Sequence, residues 1–503
     1  MRRSLSAGLV LAALLMVPSL AADRPAIAID SGTLTGTSDG AVDLYKGIPY
    51  AAPPVGPLRW MPPQAPAKWN GARDASRFGA ICPQPSRPDA VIAAGAGLPQ
   101  SEDCLFLNVW APHGARHAPV MVWIHGGAHR FGSGAGPIYD GAVFAHDGIV
   151  LVTLNYRLGL LGYFAHPALT RAAASDAPLG NYGAMDQIAA LQWVKRNVAA
   201  FGGDPDNVTV FGESAGGAGI LYLMTTPAAK GLFAKAIVES GGGWGKESTL
   251  AEKETDGSDF ATEQGLAGAN ATLEQLRAIP IEKTLDMPPT LGFGPFVDGR
   301  LVKESPQHGF ARGDEVHVPL MIGSNSFEAS LMKSFSIPPE RILARLTPEA
   351  RAVYASDGSS DEALAQAVFT DSVMGAPAHW VATQASAAAP VFLYHFSYVA
   401  SMRRDAAPGA SHGSEIPFVF GTGTALAARF GIALTPEDLA MEHLLHSCWT
   451  GFAKTGQPHC DGQAWPVFTP ASDTLLEFGP TSGPVAHFRK TQYDALEAML
   501  KPD

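Results

Sequence analysis

An α/β fold, with a central and mostly parallel sheet flanked by helices, is what the sequence predicts. Three features carry that expectation: apolar runs of strand length, amphipathic stretches of helical period between them, and glycine-rich turns at the junctions. Val120-Met121-Val122-Trp123-Ile124 and Ile149-Val150-Leu151-Val152-Thr153-Leu154 are continuous apolar runs. A strand that is apolar throughout must be covered on both faces, the condition of a buried parallel sheet. From Met185 to Ala200, Ile188, Leu191, Val194 and Val198 recur at helical spacing, and Gly202-Gly203 closes the segment. Asn207-Val208-Thr209-Val210-Phe211 follows as a strand, and Ala234–Val238, Val318–Ile322 and Val391–Phe396 supply others, with helix-rich segments between them. Alternation of this kind gives a doubly wound sheet, whose functional groups gather at the carboxyl ends of its strands.

The chain has 503 residues, of which 46% are hydrophobic and 16% charged, and no low-complexity tract, charge block or internal repeat interrupts it. A single domain over residues 22–503 is therefore expected. The first 21 residues differ: Arg2 and Arg3 precede an apolar run from Leu9 to Val17, and Ser19-Leu20-Ala21 offers small residues for a signal peptidase. The apolar run falls short of the ~20 residues needed to cross a bilayer. A cleaved signal peptide over residues 1–21 and a secreted or periplasmic protein without a stable membrane span are expected. Removing the two arginines takes the net charge from -12 to -14, so nucleic acid is not an expected partner. Oligomeric state has no sequence signature.

The four cysteines, Cys82, Cys104, Cys448 and Cys460, are even in number, as in exported proteins with disulfides. Cys82 and Cys104 would close a proline-rich loop, which stabilises the fold by roughly 3 kcal/mol in the chain-entropy account. Whether Cys448 pairs with Cys460 depends on geometry, and none of the four has zinc-site spacing.

Chemistry enters with Gly212-Glu213-Ser214-Ala215-Gly216, a G-x-S-x-G between a short strand and a small-residue helix start. The flanking glycines suit a turn too sharp for side chains, with Ser214 at its apex as a candidate nucleophile. Ala215 would offer a backbone N–H to a developing oxyanion, aided by the helix N-terminus. His125-Gly126-Gly127-Ala128, directly after a strand, is a second glycine-rich turn, whose Gly127 and Ala128 N–H groups are candidate donors. His125 itself reads as a structural hydrogen-bonding residue. Glu442, His443 and His446 do not form H-E-x-x-H, so no metal is expected, and the chemistry requires no added cofactor.

At these motifs the chain resembles the type B carboxylesterase and cholinesterase family of α/β-hydrolases. Phe201-Gly202-Gly203-Asp204-Pro205, with Val208 to Gly216, is similar to the family's serine signature, and Glu102-Asp103-Cys104-Leu105-Phe106-Leu107-Asn108-Val109 to a second signature. The likeness continues through Gly47 to Ala51, Asn155-Tyr156-Arg157, Gly180 to Gly183, Asp298-Gly299 and Trp449 to Gly456. It implies an α/β-hydrolase fold with helical insertions. It also implies a serine carboxylic-ester hydrolase that forms an acyl-enzyme on small to medium esters. Gly323 to Glu328 resembles the segment bearing the triad acid, and Ser411 to Phe418 the segment bearing the base, so the implied triad is Ser214, Glu328 and His412. Ser240 resembles a buried serine that supports the acid, and Glu213 a buried supporting acid beside the nucleophile.

Two departures bear on the ester. The family's third oxyanion-turn glycine is Ala128 here, and the hydrophobic residue after it is His129, which puts a titratable group near the expected acyl pocket. No aromatic residue lies between Cys82 and Cys104, where cholinesterase relatives carry the ring that binds quaternary ammonium, so that specificity is disfavoured. The stretch from Gly241 to Gly294 is expected to help shape the pockets. Alternatives are a lipase, an esterase for a specialised xenobiotic, toxin or polymer fragment, and, more distantly, a non-catalytic recognition protein of the same fold.

Overall fold

The computed structural model describes residues 24–86, 95, 97–244, 247–285, 292–355 and 360–499, so the leader expected over residues 1–21 lies outside it. Among the described residues one sheet has eleven strands. Its centre is parallel, in the spatial order Val150–Leu154, Ala118–Ile124, Gly203–Glu213, Lys235–Glu239, Leu320–Asn325, Val391–Phe396 and Thr474–Phe478. Antiparallel strands flank it: Phe106–Pro112, Val42–Pro49 and Thr37–Ser38 on one side, Gly483–Ala486 on the other. A separate three-stranded sheet joins Ala26–Ile29, Gly32–Thr35 and Ala72–Asp74.

The alternation of a strand sends its residues to two cores. Val120, Val122 and Ile124 enter one cluster with Leu191, Trp193 and Val194 of the Tyr182–Asn197 helix. Met121 and Trp123 enter the other with Leu445, Trp449 and Phe452 of the Pro436–Thr455 helix. Both faces are thus covered, which is why these strands read as unbroken apolar runs. Burying one such large side chain is worth about 2 kcal/mol.

Bounds shift for local reasons. The strand expected from Val318 begins at Leu320, because Pro319 has no N–H for the ladder, though its carbonyl still accepts from Ala236 N–H at 3.1 Å. The helix expected over 185–200 runs Tyr182–Asn197 and tightens into a 3₁₀ turn at Val198–Phe201, ending on Gly202 with φ 80°. Cys82 is bonded to Cys104, and Cys448 to Cys460. No helix among the described residues is long and apolar enough to cross a membrane.

Candidate active site

Strand register decides the local sequence around Ser214. Ile124 stands opposite Gly212 on the two central strands, at the point where the strand order reverses. A Cβ on Gly212 would lie 2.6 Å from the Ile124 carbonyl oxygen, and one on Gly216 only 1.9 Å from it, so both positions exclude side chains. Ser214 sits between the Gly203–Glu213 strand and the Ala215–Thr225 helix at φ 55° and ψ -122°. A non-glycine residue there costs on the order of 1–3 kcal/mol and persists only where its surroundings hold it. Two backbone bonds do so: Ser214 N–H donates to Glu239 C=O at 2.9 Å, and Ala218 N–H to Ser214 C=O at 2.8 Å.

The adjoining turn after Ile124 is held the same way. Gly127 adopts φ 103°, and the N–H groups of Arg130 and Phe131 both donate to its carbonyl, at 2.9 and 3.1 Å. Ala128 and His129 follow in left-handed conformation at φ 54° and 55°. Gly127 and Ala128 N–H groups donate no backbone hydrogen bond among the described residues, and Ala215 opens its helix, where N–H groups have no intrahelical acceptor. His125 Nδ1–H donates to Gly126 C=O at 2.8 Å, and the ring stacks on Tyr156 with centroids 4.4 Å apart. Burial lowers its pKa to about 4, so the imidazole is neutral.

Beyond these turns the next two parallel strands deliver Ser240 and Asn325, the loop after the second delivers Glu328, and the segment after the third, Val391–Phe396, delivers His412. Glu328 is fully buried and its oxygens are all engaged: Oε1 accepts from Ser240 Oγ at 2.5 Å and Asn325 N–H at 2.7 Å, while Oε2 lies 2.5 Å from His412 Nδ1. His412 N–H donates to Ser330 Oγ at 3.0 Å. The other ring nitrogen, Nε2, has no hydrogen-bond partner among the described residues. Glu213 Oε1 approaches it to 3.0 Å without the alignment of a hydrogen bond.

Glu213, Glu239, Glu328 and Glu415 are all buried around this one imidazole. Burial opposes the His412 cation, but the Glu213 and Glu328 carboxylates outweigh it and hold its pKa up, to about 10. Burial pushes Glu213 to about 7, with the His412 cation opposing and Glu328 assisting. Glu239 is pushed to about 8 by burial, although Trp449 Nε1–H donates to it at 2.8 Å, and burial also carries Glu415 well above the carboxylate range. Burial thus disfavours ionisation of Glu213, Glu239 and Glu415, while the His412 cation favours it at Glu213.

Ser214, His412, Glu213, Gly127 and Ala128 line a common cavity of about 690 Å³. Its further walls come from Leu331 and Phe335 after Glu328, from the segment around Met402 and from that around Phe430. Two expectations bear on these walls. No described residue from Gly241 to Gly294 lines the cavity, because the Leu250–Glu263 helix packs away from it, with Gly257 against Ala165 and Phe260 in the core. His129 does not line it either: its ring is buried between Tyr156 and Tyr163, with Nδ1 3.3 Å from Tyr163 Oη, and burial lowers its pKa to about 3. Glu442 accepts from Gly423 N–H at 2.8 Å, His443 pairs with Asp461 at 2.8 Å and His446 bonds Val419 C=O at 2.7 Å, so these three residues face separate partners. Sequence reading passed over Glu415 and Glu239. Glu415 carried a signal, a charged residue opening the apolar run Ile416-Pro417-Phe418-Val419-Phe420.

A strained serine at a strand-to-helix turn, on a mostly parallel sheet with helices on both faces, defines an α/β-hydrolase. The chain belongs to the carboxylesterase family, whose profile matches residues 23–496, and is thus a carboxylic ester hydrolase. It is 38% identical over 461 residues to the para-nitrobenzyl esterase of Bacillus subtilis (strain 168), covering 87% of this chain and 91% of that protein. It is 36% identical over 478 residues to the fumonisin B1 esterase of Sphingopyxis macrogoltabida, covering 90% of this chain and 86% of the relative. A solved PNB esterase structure superposes with a TM-score of 0.84 at 34% identity, covering 96% of this chain and all of the other.

Proposed function

We propose that this carboxylesterase is an exported serine enzyme that cleaves small to medium esters through an acyl-enzyme, as one catalytic unit over residues 22–503. Ser214 is the nucleophile, His412 its base, and Glu328 the acid that orients the base. The observation that carries this reading is the line from Ser240 through Glu328 to His412 Nδ1, at 2.5 Å in each step, ending on an imidazole that shares a cavity wall with Ser214.

Glu328 holds the proton of His412 on Nδ1, which leaves the Nε2 lone pair as the acceptor. The neutral imidazole is the base, and the Glu213 and Glu328 carboxylates oppose its formation by holding the His412 cation. Nε2 takes the proton of Ser214 as Oγ bonds to the ester carbon, and the negative charge moves to the carbonyl oxygen, met by the N–H groups of Gly127, Ala128 and Ala215. Collapse breaks the bond to the alkoxide, which leaves with the proton from Nε2. Water repeats the sequence on the acyl-serine, releasing the acid and restoring Ser214.

The apolar rim, with Phe430 65% and Met402 49% exposed, leaves room for a bulky ester as a second reading of substrate size, and relatives named for para-nitrobenzyl esters and fumonisin B1 agree with it. Export is supported by the leader pattern of residues 1–21 and is compatible with the two disulfides. An active-site-directed organophosphonate tests the assignment: a single adduct on Ser214 in the wild type, and none with Ser214→Ala, is expected. Labelling elsewhere, or turnover of p-nitrophenyl esters by folded Ser214→Ala near the wild-type rate, would overturn it.

A further inference from the structure

Two adjacent arginines beside the cavity have different surroundings. Arg404 is committed to the protein: Nη2 donates to Glu437 at 2.9 Å and to Tyr398 Oη at 3.2 Å, and Nε to Val399 C=O at 3.2 Å. Arg403 lines the cavity and has no side-chain hydrogen bond or ion pair among the described residues. It is the only arginine or lysine among the residues described as lining the cavity, whose other charge-bearing side chains, Glu213 and His412, belong to the reacting end. The neighbouring carboxylate, Asp405, is not part of the lining.

The segment that carries Arg403 is anchored. Buried Asp438, on the Pro436–Thr455 helix, accepts from Tyr398 Oη at 2.8 Å, from Ser401 N–H at 2.9 Å and from Ser401 Oγ. The short 3₁₀ turn Ser401–Arg403 closes on Ala400 C=O, which receives Arg403 N–H at 2.8 Å. A guanidinium on a fixed turn loses less freedom when it binds a ligand than one on a loose loop. Its planar fork matches a carboxylate in two parallel hydrogen bonds. The same cavity is lined by Met402, Leu426 and Phe430, side chains that complement an apolar chain.

Resting on the esterase reading above, we propose that Arg403 is a specificity residue for amphiphilic anionic esters, which carry a carboxylate separated by an apolar spacer from the bond that is cut. Arg403 binds that remote carboxylate and takes no part in the chemistry. The protein's net charge of -12 does not prevent this, because fields from charges beyond ~10 Å are screened at ordinary ionic strength while a contact pair is not.

Two substrate series test it and separate the acyl from the alcohol side. One uses p-nitrophenyl esters of linear dicarboxylic half-acids against the same esters ending in a carboxamide. The other uses acetate esters of ω-hydroxy acids against those of ω-hydroxy amides. In at least one series the wild type should favour the carboxylate in kcat/KM by about five- to tenfold, the size of one partly exposed charge-assisted contact. The ratio should fall to about one in Arg403→Met and return in part in Arg403→Lys. No preference in either series, or a preference that survives Arg403→Met, overturns the inference while cleavage of the neutral amides leaves the esterase reading standing. Failure to cleave any ester removes both.

Discussion

Ser240 and Glu213 act on His412 from opposite ends of its ring. Ser240, itself at φ 45°, donates to Glu328 and so fixes the carboxylate that grips Nδ1. Ser240→Ala would remove a buried charge-assisted bond of about 1.5–3 kcal/mol, so kcat should fall by ~10- to 100-fold while KM changes little. An equal loss from both parameters, or none, would show that the bond does not position the acid. Glu213 works through charge. On the proposed assignment His412 must be neutral to accept a proton, so the rate should fall as pH drops through its pKa, which Glu213 and Glu328 hold up after burial has been overcome. Glu213→Gln keeps the shape and removes one anion, so the acid limb of the pH–rate profile should move to lower pH, by about one unit. A limb that stays put or moves up would exclude Glu213 as a source of the shift.

At the level of strands and helices, the turn around Ser214 tolerates no added volume. Gly216→Ala puts a Cβ 1.9 Å from the Ile124 carbonyl oxygen, a clash between two backbones that no rotamer relieves. Its expected cost is at least ~3 kcal/mol, read as loss of soluble protein or a large drop in denaturation midpoint. The C-terminal helix Lys490–Met499 is tied down through His379, whose Nδ1 lies 2.9 Å from Glu497 and Nε2 2.9 Å from Asp473. Burial lowers the His379 pKa, but the two carboxylates outweigh it and raise the value. A raised folded-state pKa stabilises fully below the unfolded value near 6.5 and is lost as pH rises through the folded one. The melting-temperature gap between wild type and His379→Gln should therefore be widest at mildly acid pH and narrow toward pH 9; a gap that widens would refute the clamp. Much at this scale was legible beforehand, because strands buried on both faces are apolar at every position and the Ser214 turn needs its glycines. The cavity walls were not. Leu331, Met402 and Phe430 meet only after distant loops converge, and nothing in the adjacent letters Arg403-Arg404 tells which one the fold will use.

For the molecule as a whole, both disulfides close loops on opposite sides of the sequence, with separations of 22 and 12 residues. Replacing either pair by alanine should lower stability by roughly 3 kcal/mol in urea unfolding, by the chain-entropy account, and a null effect would mean that the reduced chain already holds those segments together. The parallel sheet itself has a consequence in time. The turn after Ile124, Ser214, Glu328 and His412 stand at the ends of neighbouring strands, yet they are scattered over most of the chain, and the Val391–Phe396 strand is braced on its outer side by Thr474–Phe478. A polypeptide made from its N-terminus presents, on the proposed assignment, its nucleophile long before its base, and non-local parallel pairing is slow to form. On the proposed assignment, nascent, truncated or partly translocated forms lacking the segment around His412 are inert. A hydrolase built this way is silent inside the cell that makes it until the last segment arrives and folds.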